Sequence, residues 1–293
     1  MSLIENSLEK LRRAASSAKE SVATPIAVPA SRAESVATLE VHQPHKRVTV
    51  DMGRLRAAGY LPEQGQERRF ADYCHRVKRP LIDRALGAGS PQDSRLVVLS
   101  SALPGDGKTF ITLNLALSIA RERDVTALLV DADLPKAQIT EVLNLRSEAG
   151  LLNALRDDRL DPESLLLDCD VPNLEILPAG SPGDGAAELI ASSRMRDVVT
   201  RLITRNARRI VLFDSPPLLV SSEARALLAI PGQIVLVARA GHTPQHAIAD
   251  AIAQVDRKKL QGLVLNDAYV GHEQAYYGYG LYGADLRSAD KAV

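Results

Sequence analysis

The sequence is poor in aromatic residues and cysteine, and it has no excess charge of either sign. It contains no Trp, three Phe and two Cys, and its 36 Lys and Arg residues balance 36 Asp and Glu residues. Cys74 and Cys169 alone cannot build a disulfide framework, so we expect a reducing, cytoplasmic setting. Because a neutral chain offers little electrostatic attraction for a phosphate backbone, we expect no nucleic-acid partner.

Long apolar runs are also missing from the sequence. No segment approaches the roughly 18 apolar residues that a membrane-spanning helix requires. The charged residues Glu5 and Glu9 are unlike the apolar core of a signal peptide. The sequence therefore predicts neither a membrane span nor a secretion signal.

The chain has 293 residues, of which 45% are apolar, and this length allows one large domain with appendages. Apolar residues near its start have roughly helical spacing. The next stretch is rich in Ala, Ser, Val, Thr and Pro, which is typical of a flexible linker, either a bare tail or a tether to a partner. The predicted layout is a short amphipathic helix at 1–13, a linker at 14–46, a main domain with a helical lead-in at 47–274, and a mobile Tyr- and Gly-rich tail at 275–293.

Short apolar runs alternate with helical patterns through the main domain. Strands are predicted at 96–99, 127–130, 174–177, 210–213, 234–237 and 263–265, and helices at 54–82, 110–121, 151–156, 186–205, 223–229 and 245–255. Strands that alternate with helices indicate parallel βαβ units with right-handed crossovers. We therefore predict an α/β fold in which helices flank a mainly parallel sheet on both faces.

A phosphate-binding loop follows the first predicted strand of the main domain. The pattern runs from Ala102 to Thr109 and opens an apolar helix, which is the strand–loop–helix context that this motif needs. Its glycines let backbone amides approach phosphate oxygens, Lys108 neutralises phosphate charge, and the Thr109 hydroxyl takes one magnesium position. A chance Gly-rich turn is the alternative. The residues predicted to bind ATP here are Pro104, Gly105, Asp106, Gly107, Lys108, Thr109 and Phe110.

Three carboxylates follow two of the predicted strands. Asp131 and Asp133 end the second, and Asp214 ends the fourth. Ligands of open parallel sheets bind beyond the carboxyl ends of the strands, where carboxylates are well placed to hold Mg²⁺. Asp131 and Asp133 lie two residues apart, so both side chains point the same way if the strand continues. Helix capping is the alternative for any one of them.

These motifs resemble the bacterial tyrosine kinases that accompany exopolysaccharide and capsule synthesis. The matches cover the chain from about Arg54 to Tyr282, and the start of the chain together with residues 75–82 is most similar to the exosortase-associated autokinases. The matching segments are PGDGKT with NLA, LLVDADL, IVLFDSPP, LPAG with AELIASSRM, and VLVARAGHT. The resemblance therefore implies a P-loop NTPase fold.

The resemblance implies an ATP- and Mg²⁺-dependent autokinase that phosphorylates tyrosines near its own C-terminus, usually in a neighbouring subunit. By motif match Lys108 holds phosphate, Asp131 is the candidate base, and Asn266 lies where related ATPases contact adenine. Thr109, Asp133 and Asp214 would support the metal ion. The implied acceptors are Tyr269, Tyr276, Tyr277, Tyr279 and Tyr282, five of the seven tyrosines in the chain.

The resemblance also implies partners. These are a separate transmembrane polysaccharide chain-length regulator that activates the kinase, further copies of the chain in a homo-oligomer, and a cognate tyrosine phosphatase. The implied location is the inner face of the plasma membrane, reached through the regulator. Two departures stand out: Pro135 replaces a frequent Arg, and Tyr73 replaces the Glu of the ring-assembly motif Glu-x-x-Arg-x-x-Arg, in which Arg76 and Arg79 fit.

Two other functions remain as alternatives. Partition and septum-site ATPases are switches that carry a second lysine near the start of the loop, a position occupied here by Leu103. A nucleotide-gated scaffold with little catalysis would use the same loop. The tyrosine cluster itself could instead be a tail that packs on the sheet edge or self-associates.

Overall fold

The computed structural model describes residues 45–183 and 185–268. The predicted helix at 1–13, most of the predicted linker and the whole tyrosine cluster lie outside this part of the chain. Within it, no helix combines the length and the apolar character needed to cross a bilayer.

A single eight-stranded sheet forms the centre of the described chain. The strands lie side by side in the order β1-β4-β5-β3-β6-β2-β7-β8, and each neighbouring pair is parallel except β4 with β5. Their bounds are β1 Lys46–Val48, β2 Leu96–Ser101, β3 Thr126–Asp131, β4 Leu167–Cys169, β5 Leu174–Leu177, β6 Arg209–Asp214, β7 Gln233–Arg239 and β8 Leu260–Asn266. The mainly parallel α/β sheet and all six predicted strands are confirmed.

Helices cover both faces of this sheet. Their bounds are α1 Met52–Ala57, α2 Glu67–Leu86, α3 Lys108–Ile119, α4 Gln138–Val142, α5 Leu151–Arg156, α6 Ala186–Ala191, α7 Ser193–Thr204, α8 Ser222–Leu228 and α9 Gln245–Ala253. One apolar core lies between the sheet and α1–α4, and a second lies between the sheet and α5–α9. Successive residues of the central strands alternate between these cores, because strand side chains point to opposite faces. Both faces are buried, which explains why the strands read as continuous apolar runs.

Two predicted helices are each two helices in the structure. The predicted helix at 54–82 is interrupted between α1 and α2, where Gly59 and Gly65 have φ of 77° and 87°. Such left-handed backbone does not fit a helix. The predicted helix at 186–205 is interrupted at Ser192, whose extended backbone lets its hydroxyl accept a hydrogen bond from the Met195 amide and start α7.

Two strands were not predicted. β1 begins at Lys46, the last residue assigned to the linker, and pairs with β4. Each has only three residues. So short a run gives no clear apolar period, and the pairing of such distant segments depends on tertiary contacts.

Candidate active site

The phosphate loop lies between β2 and α3 at the carboxyl edge of the sheet. Gly105 and Gly107 adopt φ of 87° and 89°, a left-handed conformation that turns the chain sharply before Lys108. A Cβ atom on Gly107 would clash with the Asn266 side-chain nitrogen. Glycine is therefore required at 107 for two reasons, backbone conformation and space. Helix α3 begins at Lys108, two residues before the predicted start.

Lys108 is buried and paired with a carboxylate. Its Nζ lies 2.8 Å from Asp133 Oδ2, and the two side chains are only 8% and 2% exposed. Burial opposes the charged ammonium, but the carboxylates of Asp214 and Asp133 outweigh it and raise the pKa of Lys108. The lysine is therefore charged, and Asp133 neutralises it in the absence of another anion.

Asp214 ends β6 and is fully buried. Thr109 donates its hydroxyl to Asp214 Oδ2 at 2.7 Å, and the Thr112 hydroxyl lies 3.3 Å from Oδ1. Burial raises the pKa of Asp214 to about 7, against the opposing effect of the Lys108 charge. The predicted pair of magnesium ligands, Thr109 and Asp214, is thus in direct contact.

Asp131 faces Asp214 across the paired ends of β3 and β6. The backbone amide and the hydroxyl of Thr140 both donate to its Oδ2 at 2.8 Å. Its Oδ1 is buried and has no hydrogen-bond partner of ordinary geometry among residues 45–183 and 185–268. Burial raises the pKa of Asp131 to about 6, although the bonds from Thr140 act against this rise.

Asp131 and Asp133 were expected to point the same way only if the strand continued past Asp131, and this condition is not met. β3 ends at Asp131, and the chain then turns, with the Ala137 amide bonded to the Asp133 carbonyl. The two carboxylates consequently bond different partners, Thr140 and Lys108. They remain close enough to interact, since the charge of Asp133 contributes to the raised pKa of Asp131.

The charges of this cluster suit a divalent cation. Three carboxylates and one ammonium carry a formal charge of −2 when all four groups are ionised. Oxygen ligands from carboxylates and a threonine hydroxyl are the donors that Mg²⁺ prefers. A cation here would also offset the negative charge of these buried carboxylates. The residues present therefore fit a magnesium ion bound with a triphosphate.

The other residues predicted to contact the nucleotide differ in their surroundings. Asn266 lies over the loop, and its Nδ2 donates to the Asp106 carbonyl at 3.0 Å. Phe110 packs edge-on against Phe70, with ring centroids 5.2 Å apart, so its side chain supports α3. Pro104 is exposed at the loop entry. The predicted acceptor tyrosines from Tyr269 onwards lie outside the described residues.

Several residues at the site were not predicted as site residues. Gln138 Oε1 lies 3.1 Å from the Thr109 hydroxyl oxygen, and Thr140 holds Asp131. The half-buried phenol of Tyr60 lies within the electrostatic influence of Asp214 and Lys108, and burial is the main cause of its raised pKa. Tyr60 precedes the loop by over 40 residues, so no local motif marks it. Thr112 lies four residues after Lys108, and this spacing is the only local signal that could have found it.

The surroundings of Tyr73 differ from those expected for a glutamate at this position. Its hydroxyl accepts a hydrogen bond from Arg69 Nε at 2.9 Å, and the Arg76 guanidinium lies 4.9 Å from its ring centroid. Arg79 pairs with Asp83 on the same helix at 3.5 Å. Within α2 these arginines are thus engaged by a phenol and an aspartate.

The chain is similar in sequence to bacterial proteins of two kinds. The tyrosine-protein kinase YwqD of Bacillus subtilis is 29% identical over 196 residues, which cover 66% of this chain and 81% of YwqD. The succinoglycan biosynthesis transport protein ExoP of Rhizobium meliloti is 30% identical over 210 residues, which cover 67% of this chain and 26% of ExoP. The chain spans only about a quarter of the length of several such relatives, 25–27%. No protein-family model matches the chain.

A solved structure supports the same relationship. The kinase domain of VpsO is 28% identical and superposes with a TM-score of 0.58, covering 71% of this chain and all of that domain. The resemblance to the exosortase-associated subgroup stays a prediction. Relatives named as tyrosine kinases, the shared kinase-domain fold and the assembled phosphate loop make this chain similar to the bacterial tyrosine kinases.

Proposed function

We propose that the chain is an ATP-dependent protein-tyrosine autokinase whose acceptors are the tyrosines between 269 and 282. The observation that carries the proposal is the constellation of Lys108, Thr109, Asp131, Asp133 and Asp214 at the carboxyl edge of the sheet. It joins a phosphate-binding loop to oxygen ligands for a metal. The name of YwqD, a tyrosine-protein kinase, points to tyrosine as the acceptor.

Each residue of the constellation has a separate role. The amides of the loop and the Lys108 ammonium would hold the phosphates, and Thr109, Asp133 and Asp214 would hold Mg²⁺. The metal ion would supply charge neutralisation at the phosphoryl oxygens. Lys108, now paired with Asp133, would shift part of its interaction to the phosphates, which releases Asp133 for the metal.

Asp131 is the proposed base. It accepts the proton that the tyrosine hydroxyl loses as the phenolic oxygen bonds to the γ-phosphorus and the bond to ADP breaks. A carboxyl group whose pKa is raised to about 6 is a better proton acceptor near neutral pH than an ordinary aspartate. The bonds from Thr140 to Oδ2 orient the group.

The switch alternative is less well supported. Leu103, at the position of the second lysine in such switches, is partly buried and packs against the core on the side of α5–α9. A leucine has no charge with which to contact the phosphates of a nucleotide in another subunit. A scaffold that binds nucleotide without catalysis differs from a kinase only in turnover, so a chemical assay separates the two.

The test is phosphotyrosine mapping by mass spectrometry after incubation of the purified protein with Mg²⁺ and ATP. We expect phosphate on tyrosines between 269 and 282 in the wild type and in Lys258→Met. Lys258 is an exposed lysine before β8, at the opposite edge of the sheet from the site. Phosphate release without phosphotyrosine would identify a switch, and neither product would identify a scaffold.

Transfer between subunits can be tested by mixing two variants. Lys108→Met supplies an intact tail without activity, and a variant with all five cluster tyrosines changed to Phe supplies activity without acceptors. If the kinase acts on a neighbouring subunit, phosphotyrosine appears on the Lys108→Met chain only in the mixture. An unlabelled Lys108→Met chain in the mixture, together with a labelled wild type, would restrict transfer to one subunit.

The biological setting proposed for the kinase is exopolysaccharide synthesis or export at the cytoplasmic face of the plasma membrane. ExoP is named for succinoglycan biosynthesis and transport, which supports this setting. The proposed partners are a transmembrane chain-length regulator as activator, further copies of the chain and a cognate tyrosine phosphatase. Membrane extracts containing the regulator should raise the phosphorylation rate of the full chain, and an unchanged rate would count against an activating partner.

A further inference from the structure

The carboxylate inside the phosphate loop is held by two protein donors. Asp106 is fully buried, and the Leu103 amide donates to its Oδ2 at 3.0 Å across the loop. The hydroxyl of Thr243 donates to its Oδ1 at 2.6 Å. The first bond is local, but the second joins the loop to a segment 137 residues further along the chain.

Thr243 is itself fixed in position by the end of β7. The Arg239 amide donates to the Thr243 hydroxyl oxygen at 2.7 Å, and the Thr243 amide donates to the Arg239 carbonyl at 3.0 Å. Because the hydroxyl oxygen already accepts from Arg239, its proton is directed to Asp106. β7 is hydrogen-bonded to β2 up to the pair Ser101 with Val237. The hydroxyl therefore belongs to a turn that is anchored to the last residue of β7.

An unrestrained carboxylate at this position would oppose phosphate binding. Asp106 lies between Gly105 and Gly107, whose backbone is shaped to present amides to an anion. A negative charge that turned toward the same anion would repel it, and the repulsion is strong in a buried setting. The bonds from Leu103 and Thr243 instead direct both carboxylate oxygens into the protein.

We propose that Thr243 is a positioning residue for nucleotide binding, which acts by holding the Asp106 carboxylate away from the phosphate site. The inference rests on the proposed function only in that the loop binds a nucleotide. It assigns a role to the loop after β7, between Arg239 and Thr243, whose contact with the phosphate loop no local motif predicts. Asn266, bonded to the Asp106 carbonyl, adds a second contact from the end of β8.

Two substitutions at one position test the role of the hydroxyl. Thr243→Val keeps the shape of the side chain and removes the hydroxyl, and Thr243→Ser keeps the hydroxyl and removes the methyl group. The probe is a fluorescent ADP analogue titrated with Mg²⁺ present. We expect Thr243→Val to weaken binding about tenfold, the scale of one hydrogen bond to a charged group. Thr243→Ser should bind within about twofold of the wild type by the same reasoning.

Kinetics and melting separate positioning from mere stabilisation. If Thr243 positions the loop for binding, Thr243→Val raises the KM for ATP and leaves kcat at saturating ATP nearly unchanged. A fall in kcat at unchanged KM would overturn the inference. So would a lower melting temperature of the nucleotide-free protein combined with unchanged ADP affinity, because that result describes a structural contact only.

A double-mutant cycle tests whether Thr243 acts through Asp106. In the background of Asp106→Ala, Thr243→Val should cost little further affinity, since its acceptor is already gone. Additive losses would overturn the inference. If the wild type binds ADP but forms no phosphotyrosine, the kinase proposal fails and the role of Thr243 stands. If the wild type and Thr243→Val bind ADP equally well, the role of Thr243 fails and the kinase proposal is unaffected.

Discussion

At the scale of single residues, charge compensation around Lys108 decides the chemistry. One ammonium group faces three carboxylates in a buried cluster, and burial shifts the pKa of Asp131 and Asp214 upward to about 6 and about 7. Lys108 can pair with Asp133 in the nucleotide-free protein and with the phosphates of a bound nucleotide. Its removal should therefore affect catalysis far more than folding.

Lys108→Met is expected to lower the rate of autophosphorylation by at least about a hundredfold, because a preorganised positive charge is lost from the transition state. The variant should remain folded, since a carboxylate with a raised pKa can take up a proton when the lysine is absent. Radiolabel incorporation and urea unfolding measure the two effects. Undiminished labelling in Lys108→Met would remove the phosphate loop from the mechanism.

Gly107→Ala tests the second residue-scale feature, the left-handed turn of the loop. We expect a loss of about 1–3 kcal/mol in the free energy of unfolding from the unfavourable φ and the contact with Asn266. ADP binding should weaken as well. Gly89→Ala is the control: Gly89 has φ of 78°, but a Cβ atom added there would meet no other atom of the described residues within 4 Å.

The combined variant Gly107→Ala with Asn266→Ala separates the two causes. Removing the Asn266 side chain should recover the part of the loss that comes from the contact, and the variant should then resemble Gly89→Ala in stability. If the double variant is less stable than Gly107→Ala alone by the full cost of Asn266→Ala, the contact does not limit residue 107.

At the scale of elements, α2 fixes α3, the helix that begins at Lys108. Lys78 of α2 is 5% exposed, and its Nζ donates to the Ser118 carbonyl at 2.7 Å and pairs with Glu122 at 2.9 Å. A cation at the last turn of a helix satisfies carbonyl groups that lack partners within the helix. The lead-in of the domain therefore supports the helix of the phosphate loop from its far end.

Lys78→Met should lower the free energy of unfolding by about 1–3 kcal/mol, because the part-buried Ser118 carbonyl and the Glu122 carboxylate lose a charged donor. Arg79→Met, at the neighbouring residue, is the matched control. The Arg79 side chain is 53% exposed, and its pair with Asp83 should contribute under about 1 kcal/mol to the free energy of unfolding. Urea unfolding compares the two variants. Equal losses would show that the bond to Ser118 adds nothing to stability.

The pair between Lys78 and Glu122 should also give a pH dependence. The hydrogen bond from Lys78 lowers the pKa of Glu122 from its ordinary 4.5. A lowered carboxyl pKa contributes stability above pH 4.5, and this contribution is lost as the pH falls through the lowered value. The stability difference between the wild type and Glu122→Gln should thus be full at pH 7 and shrink in acid. In the Lys78→Met background the same substitution should have little effect at any pH.

At the scale of the whole molecule, phosphorylation would change the charge of a neutral chain. Each phosphotyrosine adds about −1.5 to −2 charges, so five would add roughly −8 to −10. Because 36 basic residues balance 36 acidic ones, the added charge would not be offset within the chain. Copies that associate before phosphorylation would then repel one another.

We therefore expect unphosphorylated protein to associate and heavily phosphorylated protein to dissociate. Light scattering before and after addition of Mg²⁺ and ATP, at fixed salt, measures the change, and higher ionic strength should reduce it. A variant with Tyr269, Tyr276, Tyr277, Tyr279 and Tyr282 changed to Phe should stay assembled with ATP present. If it dissociates as the wild type does, nucleotide turnover rather than tail charge controls assembly.

The elements that sequence reasoning located correctly share one property, a signal contained within a short segment. The six predicted strands are apolar runs, and the helix bounds for α3, α5, α8 and α9 agree within about two residues. The errors occur where a local signal is weak. Glycines with positive φ interrupt the predicted lead-in helix. The apolar helical period of the sequence continues across Ser192, although the helix is interrupted there.

The sequence by itself determined the fold class and the residues of the phosphate loop, because both depend on local patterns of burial, glycine and charge. Only the tertiary structure decided which side chains bond to one another: Lys108 to Asp133, Asp131 to Thr140, and Asp106 to Thr243. Sequence spacing carries no information about such pairs once a strand ends and the chain turns. Long-range contacts in a parallel sheet are fixed by strand order and register, which bring residues over a hundred positions apart to one edge.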